Sequence, residues 1–143
     1  MAATAILIAW NNCSGGAGND IIYGGPGPTR SYGGSGDDTF VFTSLADFND
    51  PKAPPGIEDF QAEDRNELID LSAIDANQIL AGDQSFTLVE RFSGNAGELV
   101  LAALESDLVR VFGDVNGDAI QDLSFFVKYG LPLGRLEADH FIL

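Results

Sequence analysis

Asp20 and Asp38 stand eighteen residues apart, and each is the sixth residue of a nine-residue unit rich in glycine. In register the units read GGAGNDIIY from Gly15 to Tyr23, GGPGPTRSY from Gly24 to Tyr32 and GGSGDDTFV from Gly33 to Val41. Glycine at the first, second and fourth places lets the backbone enter conformations closed to other residues and turn its carbonyl oxygens inward. A carboxylate at the sixth place adds a charged oxygen to that set. Hard oxygen ligands of this kind suit calcium. The candidate ligands are Asp20 and Asp38 through their side chains, and Gly15, Ala17, Gly33, Gly34 and Gly36 through backbone carbonyls.

These units match the repeat G-G-x-G-x-D-x-U-x, the calcium-binding nonapeptide of parallel β-rolls. The last three places of each unit form a short strand whose middle residue faces the core, here Ile22, Ser31 and Phe40. Successive turns alternate between the two edges of a flattened coil, so the turns that share an ion lie eighteen residues apart. Gly15 to Asp20 therefore stacks over Gly33 to Asp38. The middle turn has Thr29 in place of the acid, with Pro28 beside it. Its partner would be Ile6 to Asn11, which lacks glycine and places Asn11 sixth. One good calcium site and one degraded or empty site are expected.

The charge agrees with a need for cations. Fifteen Asp and seven Glu oppose seven Lys and Arg, for a net charge of −15. The basic residues are scattered, which argues against nucleic acid, whose phosphates are bound by clustered Lys and Arg. At 45 % hydrophobic residues with ten Phe, the chain is too apolar for disorder. The single cysteine excludes an internal disulfide framework and a Cys-rich zinc site. With His140 as the only histidine there is no zincin helix. The sequence also lacks a Gly-x-Ser-x-Gly elbow and the Gly-Lys of a phosphate-binding loop. No catalytic constellation emerges. The apolar run at Ala5 to Ala9 is too short to span a bilayer and lacks the basic flank of a signal peptide.

Beyond the repeats the sequence reads as all-β: a short parallel β-roll continuing into an antiparallel, sandwich-like part. Residues 1–14 read as a degenerate repeat or cap, 15–42 as the roll and 43–143 as one β-rich unit. Strands are expected at Thr39 to Phe42, Phe86 to Arg91, Glu98 to Ala102, Leu108 to Phe112 and Leu123 to Lys128. The Gly94 to Gly97 turn reads as the tip of a first hairpin and Asp114 to Asp118 as that of a second. Asp75 to Ala81 could be helical.

The ordered motifs GGSGDDTFVF (Gly33 to Phe42), IEDF (Ile57 to Phe60), LIDLSAI (Leu68 to Ile74), FSGNAGELVL (Phe92 to Leu101), GDVNGDAIQDLSFFV (Gly113 to Val127) and the terminal DHFIL resemble one family. It is the C-terminal domain of serralysin-type secreted metalloproteases, with its RTX β-roll. The resemblance implies a module that binds calcium, folds after export and carries an uncleaved C-terminal signal for a type I secretion apparatus. Asp139 and Phe141 to Leu143 match that signal, with His140 interposed. The protease chemistry does not carry over, because in the family it belongs to a separate N-terminal domain. The chain reads as a fragment of such an enzyme or a short relative of one, secreted and extracellular. Asp47 resembles an aspartate that holds a further calcium in the family, but Pro55 occupies the place of its partner.

Asp114, Asn116, Asp118 and Asp122 fall at places one, three, five and nine of an EF-hand-like loop. Ala119 replaces the turn glycine and Phe125 the bidentate Glu, so a hairpin turn with solvated aspartates fits better. Cys13 occupies the core-facing slot of the decayed repeat, as a small buried thiol. His140 reads as part of a packed or frayed C-terminus rather than as a catalytic base, and Trp10 as an aromatic cap on the roll. A rival reading is a non-catalytic adhesive or accessory module that binds a polysaccharide or protein surface, with calcium only structural. Exposed aromatics on one strand face would favour it.

Overall fold

The computed structural model describes residues 4–8, 11–63, 66–130 and 135–143. Trp10, expected to cap the roll, lies outside the described residues.

The architecture is all-β, with two sheets and two short 3-10 helices among the described residues. The first sheet contains β1 (Ile6–Ile8), β3 (Ile21–Tyr23), β5 (Thr39–Val41), β7 (Leu68–Asp70) and β12 (Phe141–Ile142), in that order and all parallel. The second runs β2 (Asn12–Ala17), β4 (Arg30–Ser35), β6 (Gly56–Phe60), β11 (Leu123–Tyr129), β10 (Leu108–Asp114), β9 (Glu98–Ala103) and β8 (Thr87–Val89).

The nonapeptide step sets the register. Cys13 pairs with Ser31 in one sheet and Ile22 with Phe40 in the other, eighteen residues apart in both cases. Ile22, Ser31 and Phe40 are buried, as their place in the repeat requires. Cys13 faces the same way at the edge of the roll and is half-buried; burial pushes its thiol pKa up.

Both sheets run past the last repeat. β7 continues the first, while β6 joins the roll strand β4 to β11 of the C-terminal part. One core lies between them and includes Phe40, Phe60, Phe125, Ile69, Leu99 and Val111. Phe125 stacks at 4.9 Å from Phe42 and 6.0 Å from Phe48, tying β11 to the segment that leaves the roll. A fully buried side chain of this size contributes roughly 1.5–3 kcal/mol.

Two local expectations are corrected. β8 and β9 are parallel, with Leu88 beside Leu99, and so are not a hairpin. The Glu98 carboxylate accepts hydrogen bonds from the N–H and hydroxyl of Ser93, and Gly94 and Gly97 take φ of +90° and +91°. These contacts curl the link into a loop that returns the chain in its original direction. Residues 75–81 form turns and no helix. The Asp75 carboxylate takes the N–H groups of Asn77 and Gln84, and the Asn77 side chain that of Ile79, so side-chain acceptors displace helical bonds.

Candidate calcium site

Stacking in the first sheet places the sixth residues of successive turns along one edge of the roll: Ala5, Asp20, Asp38 and Glu67 precede paired positions of β1, β3, β5 and β7. Each aspartate uses one oxygen for the turn before it. Asp38 Oδ1 accepts the N–H of Asp20 at 2.9 Å, and Asp20 Oδ1 accepts the N–H of Ala5 at 2.7 Å. The other oxygens, Asp20 Oδ2 and Asp38 Oδ2, are buried and have no hydrogen-bond partner.

What surrounds those two oxygens is glycine backbone. A β-carbon on Gly15 would collide with Asp20 Oδ2 and stand 2.7 Å from the carbonyl oxygen of Gly33. A β-carbon on Gly33 would collide with Asp38 Oδ2 in the same way. The missing side chains thus leave two equivalent cradles, one turn apart, each facing an unpartnered carboxylate oxygen. A buried anionic oxygen without a donor is costly, and a hard cation is the partner this donor set suits. Burial pushes the Asp38 carboxyl above the usual carboxylate range; the Asp20 N–H opposes that, and the charges of Asp20, Asp59 and Asp37 reinforce it.

Gly34 and Gly36 do a different job from the first cradle's oxygens. Their positive φ, +96° and +125°, turns them onto the carbonyls of Gly16 and Gly18, where a β-carbon would collide with backbone. They allow the turns to stack. Ala17 pairs with Ser35 at the exposed end of β2.

Sequence reasoning missed Asp59 and Gln61 as site residues. Asp59 accepts the N–H of Gly33 at 2.8 Å and of Gly34 at 3.0 Å, and the Gln61 amide donates to the Gly34 carbonyl at 3.1 Å. The IEDF motif thus closes the second cradle from the far side. The signal was available in the motif's Asp, but the pairing of Ser31 with Ile57 breaks the eighteen-residue step.

The opposite edge has no carboxylate at its sixth places: Asn11, Thr29 and Pro55 precede paired strand positions there. The Thr29 hydroxyl is buried without a partner.

The lower-ranked candidates have other engagements. Asp47 accepts the N–H groups of Thr43 and Ser44 and forms a capping box on the 3-10 helix Leu45–Phe48. Asp114 is fully buried, against the expectation of a solvated turn. Its oxygens take the N–H groups of Asn116, Gly117 and Ala119. Asp122 accepts from the Val115 N–H and the Asn116 amide, the Asn116 carbonyl from the Asp118 N–H, and Asp118 from the Ile120 N–H. This carboxylate network holds the β10–β11 hairpin, whose antiparallel register the sequence anticipates. Among the described residues there is no group of three or more His, Cys, Asp or Glu side chains placed to hold a metal. A cation in the cradles would therefore depend on backbone carbonyls.

His140 is buried, so the C-terminus is packed and not frayed. Its Nδ1 accepts the N–H of Glu137 at 2.9 Å and its ring meets Phe60 edge-on at 5.5 Å. No helix among the described residues is long and apolar enough to cross a membrane.

A search of the curated proteins returns no match. Solved structures that share the fold include two subunits of the Azotobacter vinelandii mannuronan C5-epimerase, both determined in solution. The AlgE6R2 subunit is 19 % identical with a TM-score of 0.61, over 96 % of this chain and 91 % of that one. The AlgE6R3 subunit is 18 % identical with a TM-score of 0.58, over 97 % of this chain and 78 % of that one. At this identity the likeness concerns the fold alone. The family profile described as peptidase M10 serralysin C terminal matches residues 2–131. With its nonapeptide turns, its two-sheet roll and a match over most of its length, the chain belongs to the serralysin C-terminal family.

Proposed function

We propose that this chain is a calcium-binding RTX β-roll module of a secreted protein, which folds on meeting extracellular calcium and supports type I secretion and stability. The observation that carries the reading is the pair of buried, unpartnered oxygens on Asp20 and Asp38, each facing a glycine-lined cradle. Asp20 Oδ2 and the Gly33 carbonyl would hold an ion in the first cradle and Asp38 Oδ2 one in the second, with the carbonyls of Gly15, Ala17, Gly34 and Gly36 as further candidates. Calcium supplies positive charge there. The chain's own part is to present converging oxygens and, through the Asp20–Asp38 backbone link, to make the stacking of turns depend on the same residues.

Charge supports the direction of folding. A chain at −15 repels itself where cations are scarce, and calcium at ~1 mM outside the cell relieves that repulsion while filling the turns. The C-terminal residues fit the same order of events. Phe141 is buried, and the Leu71 N–H donates to the Ile142 carbonyl at 2.8 Å as β12 joins the first sheet. A secretion apparatus would read this segment only before that strand pairs. An upstream catalytic domain, where one is joined to this module, would gain a calcium-dependent stable neighbour.

The test is isothermal calorimetry of the chelated chain with calcium, alongside far-UV circular dichroism in chelator and in calcium. Saturable binding with a gain of β signal is expected. Identical spectra together with no binding heat would remove the reading.

A further inference from the structure

The outer face of the second sheet carries a row of residues that the calcium cradles do not use. Arg110 on β10 lies between two aromatic rings, its guanidinium 4.9 Å from the centre of Phe112 and 5.2 Å from that of Phe126. Its Nη2 donates to the Ser124 hydroxyl at 3.1 Å, while its Nε has no hydrogen-bond partner. Strand alternation puts this group on the solvent side: Leu108, Arg110 and Phe112 are half-buried, whereas Val109, Val111 and Gly113 between them face the core.

The register extends the row. Arg110 stands opposite Phe126, Phe126 beside Gly56 and Gly56 beside Arg30, across four strands. Lys128 is exposed two residues beyond Phe126 on β11. A depression of about 270 Å³, lined by Arg30, Leu108, Phe126 and Lys128 among others, flanks the stack on one side. Another of about 450 Å³, lined by Arg91, Phe92, Val100 and Phe112 among others, flanks it on the other. Of the six Lys and Arg among the described residues, Arg30, Arg91, Arg110 and Lys128 belong to this strip. Glu58 and Glu90 also line it, and Glu58 is paired with Arg30 at 3.0 Å. On a chain with fifteen excess negative charges, the strip is a local reversal of sign.

We infer that this strip binds an acidic polysaccharide, a polymer of sugar rings bearing carboxylates. Aromatic rings offer flat apolar surface to the C–H faces of sugars, and Arg and Lys pair with carboxylates spaced along a chain. Two depressions on either side of a central cation–aromatic stack suit an extended ligand better than a compact one. The acidic remainder of the surface confines a polyanion to the strip and disfavours the denser charge of nucleic acid. The inference goes beyond calcium binding and uses none of the residues of the cradles.

The experiment uses the full chain in calcium, titrated with short hyaluronan and oligogalacturonate fragments and followed by amide chemical shifts. At least one uronate fragment should bind, weakened by salt, with shifts concentrated on β10 and β11, while dextran fragments of equal length should not. Arg110→Gln and, independently, the exposed Lys128→Gln should each weaken binding about tenfold, with calcium affinity unchanged. Failure of both uronate fragments to bind overturns the inference. So does wild-type affinity in Lys128→Gln, or binding of an acidic peptide or an oligonucleotide as tight as that of the uronates.

Discussion

The backbone N–H of Asp20 donates to the carboxylate of Asp38, eighteen residues further on, at 2.9 Å. One oxygen of Asp38 therefore locks two turns together and the other is left facing a cradle. Asp38→Asn keeps an oxygen for the Asp20 N–H but removes the charge. Calcium affinity should fall by about ten- to a hundredfold, since affinity in oxygen sites follows the number of charged ligands. The chelated form should change little in stability. Calorimetry and chelator titration check both halves, and an unchanged affinity would exclude Asp38 as a ligand.

Gly15→Ala tests the cradle itself. The added methyl would sit against Asp20 Oδ2 and 2.7 Å from the Gly33 carbonyl, in the space assigned to the ion. Calcium binding at that turn should be lost, visible as one fewer ion bound or a drop in affinity of about a hundredfold. Gly16→Ala is the control: nothing stands within 4 Å of its added carbon. At φ +100° it carries a backbone cost of about 1–2 kcal/mol without obstructing the ion.

Calcium should raise thermal stability by linkage. Free calcium at ~100 times the dissociation constant adds about 2.7 kcal/mol per site, a large share of a small domain's stability. The melting temperature should rise continuously with calcium concentration. In Asp20→Asn combined with Asp38→Asn, most of that rise should vanish.

Glu98 gives the acid limb of stability a specific source. The Ser93 hydroxyl and N–H hold its carboxyl below the usual glutamate range, with the Asn95 amide adding to them. A carboxylate whose folded pKa is depressed stabilises above its unfolded pKa, and the contribution disappears as pH falls through the folded value. Glu98→Gln should therefore lower the melting temperature by a few degrees at neutral pH. The difference from wild type should shrink below about pH 4, where the unfolded glutamate is itself protonated. A deficit that persists unchanged into acid would assign Glu98 a purely steric role.

The repeat was the most legible part of the chain because its register is local. Nine-residue spacing placed Ile22, Ser31 and Phe40 in the core, and both sheets pair those turns at eighteen residues. Where the step breaks, sequence reasoning lost its ruler: Phe40 pairs with Ile69 and Ser31 with Ile57, at separations set by intervening loops. Asp59 escaped notice as a site residue for that reason. Glycines at 94 and 97 fit the tip of a β8–β9 hairpin equally well, and only the bonds of Ser93 to Glu98 within the loop and of Gly97 to the distant Asp114 reveal a returning one. At Asp114 the residue types suggested solvent, yet three backbone donors bury the carboxylate.

Phe125 offers a test of whether roll and C-terminal part unfold together. It is fully buried on β11 and packs on Phe42 and Phe48, which follow the last repeat. β11 in turn pairs with β6, and β6 with the roll strand β4. Phe125→Ala should cost about 3–5 kcal/mol, the usual range for a buried Phe. If the roll depends on its neighbour, that loss reaches the cradles: the apparent calcium affinity should fall although no ligand is touched, and one cooperative transition should shift to lower temperature. Circular dichroism and calcium titration on the same variant make the comparison. A melt that splits in two, with the calcium-dependent step unmoved, would show the roll to be a folding unit separate from residues 43–143.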